Sequence, residues 1–74
     1  MKVKVVVHDI CTKEELDNLI NDAQGFIEFE KTLLSDGTYD VFAVMIFPKC
    51  SMFRYLALQK YARAKKDKVK VVKL

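Results

Sequence analysis

The chain has 74 residues, a net charge of +3 and a hydrophobic fraction of 51%, with only two glycines and one proline. That length leaves room for a single domain over residues 1–74, and the composition argues for dense regular structure rather than disorder. Two cysteines are too few for a disulfide-stapled secreted scaffold, and the longest apolar run, Val41 to Phe47, is far too short to span a bilayer.

Met1-Lys2-Val3-Lys4 resembles the charged start of an export signal, but the apolar run behind it ends at Val7. The expectation is a soluble cytoplasmic protein with no membrane partner. So short a chain buries only about 60% of the surface its unfolded state exposes. Its apolar excess therefore predicts that a second copy, or another partner, covers part of the molecule.

Val3, Val5 and Val7 alternate with Lys2, Lys4 and Val6, the period of a half-buried strand. Thr12 and Glu15 have the spacing of a capping box, and Leu16, Leu19, Ile20 and Ala23 then recur at helical spacing up to a stop at Gly25. Ile27, Phe29 and Leu33 alternate with Glu28, Glu30 and Thr32, predicting a second strand with one wet face. Ser35-Asp36-Gly37-Thr38 reads as a hairpin turn, because its Asp-Gly pair tolerates a positive φ. Tyr39 to Phe47 is a third strand, apolar on both sides and ended by Pro48. Ser51 can cap a second helix reaching about Lys66, and the β-branched segment from Lys68 to Leu74 reads as a last short strand.

The order β-α-β-β-α-β is that of ferredoxin-like folds in the α+β class. It predicts a four-stranded antiparallel sheet with two helices on one face. The right-handed crossover rule leads us to expect the first and third strands side by side and parallel in its middle. On that reading Cys11 and Cys50 approach each other, and both helix N-termini meet at one edge.

Charge is unevenly distributed. Residues 1–48 hold four lysines against nine acids, whereas residues 49–74 hold nine bases against Asp67 alone. The basic segment can attract phosphates or an acidic protein surface, or it can simply neutralise the acidic first helix beside it. In the second helix Phe53, Leu56, Ala57, Tyr61 and Ala64 form one stripe, while Tyr55, Leu58 and Ala62 form another roughly opposite. One stripe suffices to pack on a sheet. The one flanked by Arg54 and Lys65 is expected to be the surplus, exposed patch.

RNA-recognition domains share this topology and stack bases on aromatics of the first and third strands. Here the first strand offers Lys4, Val6 and His8 instead. Acylphosphatases use a glycine- and arginine-containing loop where this chain has the acidic Asp9 to Glu15. Asp9 alone resembles the strand-end acid of small nucleases of this fold. His8, Asp9, Cys11 and Cys50 contain soft-metal ligand types, but not the paired-cysteine loop of copper-carrying domains. No cofactor and no metal is therefore expected.

The reading is a non-enzymatic interaction module, self-associating as a homo-oligomer, that regulates or inhibits a larger protein with an acidic surface. Its expected contact residues are Arg54, Tyr55, Leu58, Lys65, Lys66 and Lys68. The alternatives are a nucleic-acid binder using the same basic segment, and a small hydrolase or nuclease at the C-terminal edge of the first and third strands.

Overall fold

The computed structural model describes residues 1–22 and 26–74. In chain order it contains β1 (Val3–Cys11), α1 (Lys13–Asp22), β2 (Phe26–Leu33), β3 (Tyr39–Phe47), α2 (Met52–Lys65) and β4 (Val69–Lys73), with a 3-10 turn at Lys66–Lys68 before β4. The class is α+β: one open antiparallel sheet and two helices. The expected helix stop at Gly25, and Ala23 before it, lie outside the described residues.

The strands lie in the order β2-β3-β1-β4. β1 pairs with β3 over its whole length, from Val3 opposite Phe47 to Cys11 opposite Tyr39, and the pairing is antiparallel. This corrects the expected parallel pair. β2 also runs antiparallel to β3, and β4 antiparallel to β1. The parallel relations are thus β1 with β2 and β3 with β4, each across one intervening strand. The helical crossovers join those pairs, so the crossover rule never applied to the two central neighbours.

Local chemistry explains the elements. Thr12 Oγ1 accepts from the Glu15 amide at 3.2 Å and Glu15 Oε1 accepts from the Thr12 amide at 3.2 Å, a reciprocal cap on α1. Ser51 Oγ accepts from the Arg54 amide at 3.1 Å and starts α2. In the β2–β3 hairpin Gly37 takes a φ of 86°, while Asp36 Oδ1 accepts from the Thr38 amide at 3.0 Å and its hydroxyl at 2.6 Å. Those two bonds hold the Asp36 carboxyl below the usual carboxylate range.

Strand parity places the core. Val3, Val5, Val7 and Cys11 of β1 and Val41, Ala43, Met45 and Phe47 of β3 are buried together with Leu16, Cys50 and Val69. Leu19 of α1 and Tyr55, Leu58 and Ala62 of α2 pack against that cluster, so both helices cover the face carrying the odd-numbered residues of β1 and β3. Among the described residues, no helix is long and apolar enough to cross a membrane.

Candidate functional site

Among the described residues, α2 carries the most exposed large apolar side chains. Over fourteen residues it has none that is buried. Its sheet-facing side is Tyr55, Leu58 and Ala62, each only partly buried, and Gln59 Nε2 donates to the Tyr55 hydroxyl at 2.8 Å along that side. The opposite stripe faces solvent: Phe53 is 89% exposed, and Met52, Leu56 and Tyr61 are exposed as well. The two stripes are therefore reversed relative to expectation. Tyr55 and Leu58 serve the core, while Phe53 and Leu56 are the surplus and Tyr61, 38% exposed, stands between the two sides. Apolar residues ring α2, so helical periodicity had no contrast from which to choose a buried side.

Beside this stripe lies a cleft of about 720 Å³ between the two helices. Its floor is Val5, Met45 and Phe47 of the sheet; Leu19 and Asn18 form one wall, and Phe53, Ala57 and Tyr61 form the other. Arg54 also lines it, with its guanidinium carbon 5.1 Å from the centroid of the Phe47 ring. That distance allows a cation–π contact. The volume falls within the range of small-ligand or side-chain sites, and the floor is apolar.

At the far end of α2 sits a charged cluster. Asp9 occupies a core-facing position of β1, and its side chain is only 5% exposed. Its Oδ1 accepts from the Ile10 amide at 2.8 Å. Lys65 Nζ lies 3.2 Å from Asp9 Oδ2 and 3.5 Å from Glu15 Oε2, and Lys68 Nζ lies 3.7 Å from Asp9 Oδ1. The bond to Asp9 raises the Lys65 pKa above its ordinary value. Burial, followed by the negative charges of Asp9 and Glu15, pushes the Cys11 thiol up. Burial likewise pushes Tyr61 up, and the Thr12 bonds hold Glu15 down.

The six expected contact residues are thus divided. Arg54, Tyr55 and Leu58 sit on the cleft or core side of α2; Lys65 and Lys68 converge on Asp9; Lys66, at a φ of 56°, is exposed. The missed signal was Asp9. An acid at a core-parity position needs a cation, and the lysine-dense end of α2 supplies it.

The antiparallel pairing also disperses the expected strand-end site. Cys11 lies opposite Tyr39 at one end of the sheet, while Cys50 exchanges backbone bonds with Met1 at the other. Both cysteines are buried thiols. The C-terminal ends of β1 and β3, and with them the N-termini of α1 and α2, fall on opposite edges. His8 points to the other face of the sheet, 3.8 Å from Asp40 and edge-on to Phe42. Comparison of the chain with protein-family models, curated proteins and solved structures finds no match.

Proposed function

We propose that this chain is a non-enzymatic interaction module that regulates or inhibits a larger protein, binding it through the exposed stripe of α2 and the adjoining cleft. The observation that carries this is Phe53: an aromatic ring lining an apolar cleft yet almost wholly open to solvent, on a helix that buries no residue. Aromatic anchors of this kind dominate binding energy at protein contacts. The partner should offer an apolar surface with acidic flanks, because α2 contains Arg54, Lys60, Arg63 and Lys65 and no acid. The engagement of Lys65 and Lys68 by Asp9 and Glu15 weighs against a continuous phosphate-binding surface. We propose further that the architecture is ferredoxin-like, a reading supported by the element order and by the strand order β2-β3-β1-β4.

Parallel affinity capture from the native cell with the wild-type chain and Phe53→Ala tests this reading. A protein retained stoichiometrically by the wild type should be lost from the variant, and its retention should weaken as salt rises. Equal retention by both chains would remove α2 from the contact. Steeply salt-dependent binding to random DNA or RNA, unaffected by Phe53→Ala, would transfer the function to the basic segment.

A further inference from the structure

The face of the sheet away from the helices carries the even-numbered residues of β1 and β3. Register defines it row by row. Glu28 of β2 lies opposite Val44 of β3, Val44 opposite Val6 of β1, and Val6 opposite Lys70 of β4. On one side of this row Glu30, Phe42 and His8 stand in line; on the other, Ile46, Lys4 and Val72 do. Val44 is only 8% exposed, while Val6, Phe42 and Ile46 around it remain partly open to solvent. The centre of the face is therefore apolar. Its acids, Glu28, Glu30 and Asp40, lie on the β2–β3 half, and its bases, Lys4 and Lys70, lie on the β1–β4 half.

The geometry points to a second copy of this chain as the occupant of that face, packed sheet to sheet about a two-fold axis parallel to the strands and lying between β1 and β3. Such an axis exchanges the acidic and basic halves. Glu28 of one copy then meets Lys70 of the other, Val44 meets Val6, and the row repeats in reverse. A two-fold axis across the strands would instead set the acidic half over the acidic half, which like-charge repulsion disfavours. One face opposing itself about an axis is the isologous arrangement of closed dimers. The same three acids would repel a nucleic-acid backbone. The open face lies opposite the cleft, so this contact is independent of partner binding through α2.

Charge exchange provides the test, because Glu28 and Lys70 are both exposed and tolerate substitution. Sedimentation of the full chain at tens to hundreds of micromolar should show a dimer. Glu28→Lys and Lys70→Glu, each confirmed as folded by circular dichroism, should raise its dissociation constant about tenfold or more, since each places two like-charged pairs in the dimer. The double variant recreates both pairs with reversed sign and should restore dimerisation. Phe53→Ala, on the opposite face, should leave it unchanged. A wild-type monomer throughout this range, a dimer indifferent to the single changes, or a double variant as weak as the singles would each overturn the proposal.

Discussion

The two helices lie on the same face of the same sheet, yet they are held to it differently. α1 is ten residues long, doubly capped by Thr12 and Glu15, and anchored by Leu16, which is 2% exposed. α2 is longer and also capped, but its sheet-facing side is only partly buried, and Met52, Phe53 and Leu56 are left exposed. One helix is folded into the core; the other leans on it with side chains to spare. A small domain has little stability to waste, and the apolar surface left on its longest helix is the ground on which we propose a contact outside the chain.

The contrast sharpens when each helix loses a leucine. Leu16→Ala should destabilise the fold by about 2 to 4 kcal/mol, the cost of a buried side chain plus the cavity it leaves. Leu56→Ala, on the outward stripe of α2, should cost at most about 0.5 kcal/mol. Chemical denaturation of the two variants decides the matter. Similar losses would mean that α2 is as much a core element as α1, with no surface left over.

A smaller effect is expected where the helices meet. Asp9→Asn retains the shape and an acceptor for the Ile10 amide but withdraws the charge that holds Lys65 and Lys68. Breaking a fully buried pair costs about 3 to 5 kcal/mol, but both lysines reach solvent here, so about 1 to 3 kcal/mol is expected. In an Asp9→Asn/Lys65→Met double-mutant cycle the loss should shrink, because the uncompensated ammonium is gone. Strict additivity would show that Asp9 and Lys65 are neighbours without coupling.

Features written locally were the legible ones. The Thr12–Glu15 cap, the Asp36-Gly37 turn and the alternation of Val3, Val5 and Val7 each depend on residues a few positions apart, and each forms as read. The side-by-side placement of β1 and β3 was legible too. Their antiparallel direction follows from a parallel crossover from β1 to β2 and a hairpin back from β2 to β3, so the parallel expectation conflicted with the element order itself. What failed otherwise depended on distant partners. The buried side of α2 could not be chosen because Tyr55, Leu58 and Ala62 compete with a heavier stripe of Phe53, Leu56 and Tyr61. Asp9 resembles a strand-end acid in the sequence, whereas its nearest cation, Lys65, comes from the other end of the chain.

The smallest of the effects at neutral pH concerns the junction between the helices under alkali. Cys11, Tyr61 and Lys65 all hold their protons more tightly in the folded chain than an exposed group would. For each, the folded pKa lies above the unfolded one, so between the two values the native state binds more protons and stability falls as pH rises. Their contribution is complete well below about pH 8.5, where an unfolded thiol is half ionised, and the tyrosine and lysine follow above about pH 10. Cys11 should therefore set the onset. The wild-type melting temperature should fall between about pH 7 and about pH 9.5, and Cys11→Ala should flatten that fall while lowering the melting temperature at both values through lost packing. The quantity to read is the difference between the two pH values, since the packing loss cancels in it. An identical drop in both chains would mean that the thiol keeps its ordinary pKa and that the junction is open to water.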